Sequence, residues 1–451
     1  MVDYKEIFTY YGDDVLRNFI PLNADAVELE SEGYSPKFTD PKEHLFKVLD
    51  NPVNSRSLSK IIEDVYTPGK MIVILIDDNT RPNIHTRILL PWIWEYIEKL
   101  GVKREDFKIL IASGTHIPPK ADLIEKKILG VELYREWKDN VLVHNCDENN
   151  TKLGVTIRNT PIWIDNLVLE SAVTIACTDS EYHYFAGVAG TVKQFAPGVS
   201  GRETIARNHP KMFDYEHGFK PTCRLGNTEN NPVIQDMKEV AQTVKEKIPV
   251  FCIDSIVEKG ELVYINAGDI ISLHEIAVEE LKPLRVVEID DPADFIIVTT
   301  KELSINLYQA GKGIHAGWNA VNEGGTILLL ARCEQGHGNE NYHKTMEEVK
   351  DMDLDSALKY VIDKKCNEET FKIGNQKPVD LLRILKRAKV EMITDMDAEI
   401  LKSIYRIQAL EKLHTVEKTL QKRVEKFLSE KPNGRIYVIN DAGLSVIVKK
   451  R

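Results

Sequence analysis

Short runs of apolar, β-branched residues that alternate with stretches of helical periodicity constrain the fold of this chain more than any other feature. Residues 71–76 (MIVILI), 107–114 (FKILIASG) and 172–177 (AVTIAC) have the length and composition of buried strands. The first run is followed by a polar loop and then by an apolar-periodic stretch that ends near Gly101. Strands that alternate with helices at this spacing predict βαβ units and a mostly parallel sheet.

A second set of strand-like runs lies later in the chain. Residues 293–300, 324–332 and 390–395 are rich in Ile, Leu and Val, and the charged stretch from about 398 to 430 has helical composition. Between the two sets, residues 248–267 form two apolar runs joined by Glu-Lys-Gly, which predicts a hairpin.

The length of 451 residues and one irregular segment predict two domains. Residues 282–294 (KPLRVVEIDDPAD) carry two prolines and no periodicity, so we place a boundary near residue 280. The predicted fold class is α/β, with two α/β domains (residues 1–280 and 281–451) that contain mostly parallel sheets. Because ligands bind beyond the carboxyl ends of strands in such sheets, we expect the active site in a cleft between the domains.

Charge and cysteine content exclude several classes of protein. The formal net charge of -11 argues against a nucleic-acid surface, but it allows an anionic substrate held by a local cluster of Arg and Lys. Six cysteines without a C-x-x-C pair argue against a zinc ribbon, a dithiol redox motif and a disulfide framework. Since no signal peptide and no membrane-length apolar run is visible, we expect a cytoplasmic protein with no membrane partner.

Polar loops follow the first two predicted strands. In the first loop Asp78, Thr80 and Arg81 offer an acid, a hydroxyl and a guanidinium, and Arg81 can bind a carboxylate or phosphate in bidentate fashion. A strand-ending turn with a helix cap is the alternative. In the second loop His116 has the residue type of a general base near neutral pH, and a solvated loop histidine is the alternative.

The segment HYFAGVAGTVKQ, from His183 to Gln194, carries the largest number of candidate groups. Gly187 and Gly190 leave backbone amides open to a phosphate, and Lys193 offers either a counter-charge or a covalent attachment point. The spacing fits neither a Walker loop nor the G-x-G-x-x-G dinucleotide fingerprint. Packing of a helix against a strand is the alternative explanation of the two glycines.

Two further segments offer metal-binding and cationic groups. His209, in ARNHP, has the residue type that ligates soft or borderline metals as a neutral imidazole, although alone it reads as a surface histidine before a proline. In YQAGKG, Gln309 and Lys312 offer an amide and a long cation beside Tyr308, and an ordinary helix start with a solvated lysine is the alternative.

Taken in order, these segments resemble the nickel-dependent lactate racemase family over nearly the whole chain. The family pattern is an acid-x-x-Arg-Pro loop, a Gly-x-His loop, His-x-Phe-Ala-Gly-x-x-Gly followed by Lys, then Asn-His, and finally Tyr-Gln-x-x-Lys-Gly. The matching segments here are Asp78–Pro82, Gly114–His116, His183–Lys193, Asn208–His209 and Tyr308–Gly313. The resemblance implies an isomerase that racemises or epimerises a 2-hydroxy acid, with cofactor and catalytic groups in the N-terminal domain and a C-terminal domain that closes over the substrate.

The resemblance also implies a cofactor. In the family it is a nickel-pincer nucleotide, a pyridinium-3,5-bisthiocarboxylic acid mononucleotide that carries nickel. Lys193 matches the lysine that tethers it, and His209 matches the histidine that ligates the nickel. Gly187, Gly190 and Thr80 are expected beside the cofactor. Separate biosynthetic proteins are the expected partners for loading, and a homo-oligomer is left open.

Catalytic and substrate-binding groups follow from the same resemblance. His116 and His183 match the two acid/base histidines, one for each face of the substrate carbon, and Asp78 matches a residue that supports them. The groups expected to bind or position the substrate are Arg81, Tyr308, Gln309 and Lys312.

The chain departs from the family pattern near the cofactor and near the substrate. Thr191 and Val192 precede Lys193 where the family has Gly-Arg, and Gln376 stands where a tryptophan is expected. An amide in place of an indole predicts a more polar and larger pocket, which favours a sugar acid or a dicarboxylate over lactate.

Other functions remain as alternatives. One is a nicotinamide-dependent dehydrogenase of hydroxy acids, although a convincing dinucleotide fingerprint is missing. The other is a non-catalytic protein that binds a cofactor or a metal. A zinc hydrolase is disfavoured, since no His-Glu-x-x-His occurs.

Overall fold

The computed structural model of the chain describes residues 4–449. Residues 1–3 and 450–451, at the outer ends of the two predicted domains, lie outside the described residues. The strands are β1 (Tyr4–Tyr11), β2 (Asp14–Pro21), β3 (Ala26–Leu29), β4 (Ile72–Asp77), β5 (Phe107–Ala112), β6 (Val141–Val143), β7 (Asn150–Val155), β8 (Pro161–Asp165), β9 (Val173–Asp179), β10 (Glu181–His183), β11 (Gly187–Ala189), β12 (Phe213–Asp214), β13 (Gly218–Phe219), β14 (Val250–Glu258), β15 (Glu261–Gly268), β16 (Val286–Ile289), β17 (Ala293–Thr299), β18 (Val321–Leu330), β19 (Lys389–Ile393), β20 (Gln408–Ala409), β21 (Ile436–Ile439) and β22 (Ser445–Val448).

The helices alternate with these strands. The α-helices are α1 (Pro41–Asp50), α2 (Leu58–Val65), α3 (Ile84–Glu98), α4 (Ala121–Leu123), α5 (Val131–Trp137), α6 (Asn166–Glu170), α7 (Arg202–Asn208), α8 (Pro232–Lys245), α9 (Ile270–Arg285), α10 (Leu307–Trp318), α11 (Glu340–Val349), α12 (Leu354–Lys365), α13 (Gln376–Leu385), α14 (Ala398–Ser403) and α15 (Val416–Glu430). Short 3-10 turns cover Arg104–Asp106, Lys138–Asn140, Thr191–Gln194, His209–Met212 and Lys301–Ile305, and a π-helical turn covers Ile124–Leu129.

The chain forms two compact units. The N-terminal unit consists of Gly33–Met212 and Thr222–Lys282, and the C-terminal unit consists of the described residues up to Glu32, Phe213–Pro221 and the described residues from Pro283 onwards. The first residues of the chain, which the sequence analysis assigned to the N-terminal domain, are therefore grouped with the C-terminal unit. The boundary near residue 280 stays a prediction.

A six-stranded sheet forms the core of the N-terminal unit, in the order β15-β14-β9-β4-β5-β6. β4 pairs in parallel with β5 and β9, and β14 pairs in parallel with β9. Residues 72–76 of β4 are all buried, as expected for a central parallel strand, which needs an unbroken apolar run because both of its faces are covered. β14 and β15 are antiparallel, which confirms the predicted hairpin.

A second six-stranded sheet forms the core of the C-terminal unit, in the order β20-β19-β18-β17-β21-β3. Its five strand pairs are all parallel. β17, β18 and β19 fall within or next to the runs predicted as strands. The α/β class with two mostly parallel sheets is thus confirmed.

Two local expectations were wrong. The charged stretch from 398 to 430 is not one helix, because Arg406 adopts a left-handed conformation (φ 59°) after α14 and the side chain of Thr415 caps a new helix, α15. Residues 282–294 are not an irregular linker, because α9 continues to Arg285 and β16 follows at once. Of the helices within residues 4–449, none combines the length and apolar character that a membrane span requires.

Candidate active site

A buried carboxylate and a histidine from two adjacent strands form the centre of the candidate site. Asp78 follows β4 and His116 lies beyond β5, and the two strands pair in parallel, so both loops leave the sheet at the same edge. His116 Nδ1 lies 2.6 Å from Asp78 Oδ2. Asp78 Oδ1 accepts hydrogen bonds from Thr80 N (3.0 Å) and Thr80 Oγ1 (2.5 Å).

These hydrogen bonds keep Asp78 ionised. Burial raises the pKa of Asp78, but the hydrogen bonds from His116 and Thr80 outweigh burial and lower the pKa below its usual value. His116 therefore donates its Nδ1 proton to a carboxylate, and Nε2 is the ring nitrogen that can take up or release a proton. Thr80, which was expected beside the cofactor, supports Asp78, and its contact with a cofactor stays a prediction.

Arg81 is held by an acidic residue that the sequence analysis missed. Arg81 Nη1 lies 2.5 Å from Glu181 Oε1. Burial lowers the pKa of Arg81, but the charges of Glu181 and Asp77 outweigh it and raise the pKa, so the guanidinium stays charged. Because a guanidinium has five N–H donors, pairing with Glu181 leaves donors for an anionic ligand. The position of Glu181, two residues before His183, was the only signal in the sequence.

Three further carboxyl groups, here called the strand-end acid cluster, lie on the central strands of this sheet. Asp77 ends β4, Asp179 ends β9, and Asp254 lies in β14. Burial raises the pKa of Asp77 and of Asp254 to about 7, and raises that of Asp179 well above its usual value. Near neutral pH Asp77 and Asp254 are therefore partly protonated. None of the three carboxyl groups was predicted as a site residue from the sequence.

His183 lies on a short hairpin formed by β10 and β11. His183 pairs with Gly187 across the hairpin, and Ala186 N donates a hydrogen bond to His183 Nδ1 (3.2 Å). Nδ1 is thus an acceptor, and a neutral His183 carries its proton on Nε2. The ring also makes an edge contact with Phe185, at 4.4 Å between centroids. The two predicted acid/base histidines therefore differ in their partners, since Nδ1 of His116 faces a carboxylate and Nδ1 of His183 faces a backbone amide.

The two glycines of this segment are required by packing within the chain. Both adopt φ of +85°, which favours glycine. A Cβ atom on Gly187 would lie 2.2 Å from the backbone oxygen of Asn227, and one on Gly190 would lie 2.5 Å from Ser180 Oγ. Protein atoms therefore fill the space on the Cβ side of both residues. The predicted approach of their amides to a cofactor phosphate stays a prediction.

Lys193 and His209 lie within electrostatic reach of each other. Lys193 is on the 3-10 turn that follows Gly190, and His209 is buried just after α7. Burial lowers the pKa of His209 to about 3, with smaller contributions from the charges of Lys193 and His116. His209 is therefore a neutral imidazole at physiological pH, and not the surface histidine that the local sequence suggested.

The hydrogen bonding of His209 suits a metal ligand. Its Nδ1 lies 3.2 Å from Asn208 Oδ1, which can only accept, so Nδ1 carries the proton and Nε2 carries a lone pair. Among residues 4–449, no group of three or more His, Cys, Asp and Glu side chains is arranged to hold a metal ion.

The C-terminal unit carries its candidate residues on the first turns of α10. The Asn306 side chain caps this helix by accepting a hydrogen bond from Gln309 N (3.0 Å). Tyr308 and Lys312 are four residues apart and share a helix face. Gln376, where a tryptophan was expected, is buried: its Nε2 donates to the Tyr308 hydroxyl (3.1 Å) and its Oε1 accepts from Gly374 N (2.8 Å).

Models of two protein domains match the chain. The "Lactate racemase N-terminal domain" matches residues 11–219, and the "Lactate racemase C-terminal domain" matches residues 289–448. Together the two matches cover most of the chain, in the order that the sequence motifs require.

Two curated relatives match almost the full length. The chain is 29% identical to a lactate racemase of Thermoanaerobacterium thermosaccharolyticum over 449 residues, which is 98% of each protein. It is 28% identical to a lactate racemase of Lactiplantibacillus plantarum over 415 residues, covering 90% of this chain and 91% of the relative.

Solved structures give the same result. The lactate racemase apoprotein of T. thermosaccharolyticum superposes with a TM-score of 0.83 at 27% identity, covering 99% of this chain and all of that one. A Thermotoga maritima protein, 17% identical with a TM-score of 0.65 over 92% of this chain, shares the fold. The chain therefore belongs to the lactate racemase family.

Proposed function

We propose that this isomerase inverts the hydroxyl-bearing carbon of a 2-hydroxy acid by reversible hydride transfer, with a nickel-pincer nucleotide tethered to Lys193. Membership of the lactate racemase family supports racemase activity on hydroxy acids. The observation that carries the rest is the arrangement in one unit of an Asp78–His116 pair beside Lys193 and a buried, neutral His209.

The residues of the N-terminal unit fit this cofactor. His209 would hold the nickel through Nε2, since burial keeps its ring neutral and Nδ1 is engaged by Asn208. Lys193 would form the covalent link through its side-chain nitrogen. When bound, the nucleotide supplies an acceptor and donor of hydride for the substrate carbon.

His116 is suited to remove the proton of the substrate hydroxyl. Asp78 fixes the ring through Nδ1 and stabilises the positive charge that develops when Nε2 takes up the proton. Loss of that proton and of the hydride converts the alcohol into a planar 2-keto acid, which is open to return of hydride on either face.

His183 serves the second face of the carbon. In its neutral form the Nε2–H group can donate a hydrogen bond to the substrate oxygen, because Nδ1 is occupied by the amide of Ala186. Inversion needs a group on each side of the planar intermediate, and a second histidine meets that need.

The substrate carboxylate needs cationic partners. From the family resemblance we assign Arg81, Gln309 and Lys312 to bind and orient it, together with Tyr308. Because the carboxylate stays bound while the keto group rotates, hydride can return to the opposite face of the carbon.

The proposed substrate is larger or more polar than lactate. Gln376 replaces the expected indole, and its amide is used by Tyr308 and Gly374. A panel of 2-hydroxy acids would test this, and racemisation of lactate far faster than of all larger acids would contradict it.

We also propose that the protein acts in the cytoplasm, where nucleotide-making proteins load it. All six cysteines are buried and free of disulfides, which suits a reducing compartment.

Intact mass and nickel content test the proposal directly. The protein would be expressed with and without the cofactor-making proteins, as wild type, as Lys193→Arg and as the control Lys152→Arg, whose lysine is exposed. We expect a mass increase and near-stoichiometric nickel in wild type and control, and neither in Lys193→Arg. No adduct on the wild type under loading conditions would overturn the proposed cofactor.

A further inference from the structure

A buried carboxyl group that the proposed reaction does not use is connected to the proposed nickel ligand. Asp236 lies on α8, and its side chain is fully buried. Asn208 Nδ2 lies 3.1 Å from Asp236 Oδ2, and Asn208 Oδ1 lies 3.2 Å from His209 Nδ1. A chain of hydrogen bonds therefore runs from Asp236 through the amide of Asn208 to the ring of His209, and all three residues belong to the N-terminal unit.

The amide of Asn208 is held in one orientation. Besides its contact with Asp236, Asn208 Nδ2 donates a hydrogen bond to the backbone oxygen of Val233 (3.0 Å). A backbone carbonyl and a carboxylate can only accept, so the end of the amide that faces them must be the nitrogen. The oxygen of the amide is then the end that faces His209.

Two buried threonines hold Asp236 in place. Thr156 Oγ1 donates to Asp236 Oδ1 and Thr160 Oγ1 donates to Asp236 Oδ2, both at 2.6 Å. Thr156 Oγ1 also accepts a hydrogen bond from Thr160 N (3.1 Å), which leaves its single proton for the carboxyl group. The two threonines flank the turn between β7 and β8. Hydrogen bonds from this turn and from the end of α7 therefore fix the carboxyl group on α8 relative to Asn208.

We propose that Asp236 is a positioning residue that acts through Asn208 to set the tautomer of His209. An acceptor opposite Nδ1 keeps the proton of the neutral ring on that nitrogen and leaves the lone pair on Nε2, the atom through which His209 would hold nickel. The use of this tautomer in catalysis rests on the proposed function, whereas the tautomer itself does not need the cofactor. Loss of such an outer partner of a metal ligand typically weakens metal binding by ~10–100-fold.

Nitrogen NMR of the full-length protein without cofactor tests the tautomer directly. With ¹⁵N-labelled histidine, protonated and unprotonated ring nitrogens have well-separated chemical shifts, and His209→Gln assigns the signal by its loss. We expect the Nδ1–H tautomer in the wild type. In Asp236→Asn an NH₂ group can replace the accepting oxygen, so Asn208 is held by Val233 alone and we expect the Nε2–H tautomer to become populated.

A matched control distinguishes this role from a structural one. Asp106 is also a buried carboxyl group of the N-terminal unit, and it accepts hydrogen bonds from the Tyr66 hydroxyl (2.8 Å) and Gly69 N (2.9 Å). It precedes β5, at the opposite end of that strand from His116. Asp106→Asn should lower the Tm through the loss of similar hydrogen bonds and leave the tautomer of His209 unchanged. A shift of the tautomer in this control as large as in Asp236→Asn would overturn the proposal.

Nickel retention in the loaded protein tests the consequence. The chelator EDTA would be titrated into wild type, Asp236→Asn and Asp106→Asn, and nickel content and intact mass would be measured. We expect the apparent Kd for nickel to rise ~10–100-fold in Asp236→Asn only. The mass of the organic adduct should persist, because its link to Lys193 is covalent. Equal retention of nickel in wild type and Asp236→Asn would overturn the proposal.

A double-mutant cycle tests whether Asp236 acts through Asn208. Asn208→Leu removes the acceptor opposite His209, so Asp236→Asn should cause no further loss of nickel in that background. An equal further loss would overturn the proposal. If Asp236→Asn fails to fold, Thr160→Val replaces it, since it removes the hydroxyl that donates to the same carboxyl oxygen. We expect a smaller population of the Nε2–H tautomer there, and an unchanged tautomer would overturn the proposal.

The two measurements separate this proposal from the proposed function. A wild-type His209 with its proton on Nε2, or a tautomer that is unchanged in folded Asp236→Asn, would overturn the positioning role and leave the racemase proposal intact. A tautomer that depends on Asp236, in a protein that takes up no nickel under loading conditions, would overturn the proposed cofactor and leave the positioning role intact.

Discussion

The two units bury carboxyl groups with opposite consequences for ionisation. In the strand-end acid cluster of the N-terminal unit, burial raises the pKa of Asp77 and of Asp254 to about 7. In the C-terminal unit burial also acts on Asp380, but His315 and Arg383 outweigh it and lower the pKa. The residue type and the burial are alike, and the neighbouring cations decide the outcome.

This difference in ionisation suits two different functions, which are proton exchange or metal ligation in one unit and ligand binding in the other. Carboxyl groups with pKa values near neutrality can exchange protons at physiological pH. A neutral histidine such as His209 can ligate a metal without first losing a proton or a counter-ion. Groups that partners hold in the charged state, such as Asp380, provide a fixed charge suited to binding. We therefore expect changes of the proton-transfer groups in the N-terminal unit to act on kcat, and changes of the substrate-binding groups in the C-terminal unit to act on KM.

The largest effect is expected for His116→Gln. Because His116 is assigned to move the hydroxyl proton, kcat should fall by ~10²–10⁴-fold, with KM changed only a few-fold. A racemisation assay on loaded protein measures both constants. The control is His414→Gln, an exposed histidine outside both sites. An increase in KM at constant kcat would break the proposed division between the units.

A change in pH-dependent stability is expected for Asp254→Asn. In the wild type the Asp254 carboxyl is neutral in the folded state until about pH 7, whereas the unfolded chain ionises near pH 4, so this group lowers stability as pH rises between those values. The variant lacks this loss. Its free energy of unfolding, relative to wild type, should increase by up to ~4 kcal/mol from pH 4 to pH 8, at about 1.4 kcal/mol per pKa unit.

Urea unfolding at pH 4, 6 and 8 measures this difference. The exposed Asp122, as Asp122→Asn, is the matched control and should show no such trend. A difference between Asp254→Asn and wild type that does not vary with pH would show that Asp254 is ionised throughout, as Asp380 is.

A smaller effect is expected for Lys312→Gln. Loss of one charge-assisted contact to the substrate carboxylate should lower kcat/KM by ~10–100-fold, mainly through KM. Lys344→Gln, an exposed lysine paired with Glu340, is the control. A loss that falls mainly on kcat would place Lys312 with the proton-transfer groups and weaken the contrast between the units.

The strands that carry the site could be predicted from the sequence, because central parallel strands need unbroken apolar runs. β4, β5, β9, β17 and β18 each overlap a predicted run. The hairpin of β1 and β2 was missed although its two strands are adjacent in the chain. The pairing of β3 with β21 was missed because strand partners far apart in the chain leave no local pattern.

The site could be predicted only in part. Asp78 and His116 were identified from motifs, but their 2.6 Å contact depends on the pairing of β4 with β5 and is not encoded by spacing. Glu181 was missed because its contact with Arg81 joins two segments that lie far apart in the chain. His209 reads as a surface histidine until the fold encloses it.

The unequal partners of His116 and His183 have a kinetic consequence. His116 Nδ1 faces the Asp78 carboxylate, whereas His183 Nδ1 accepts from the Ala186 amide, so under the proposed mechanism the two enantiomers meet acid/base groups with different partners. Enantiomers have equal free energy, so the equilibrium constant of a racemisation is unity, and the Haldane relation requires the same kcat/KM in both directions. An asymmetric site must therefore change kcat and KM by the same factor. The enantiomer with the higher kcat also has the higher KM, and the two ratios are equal.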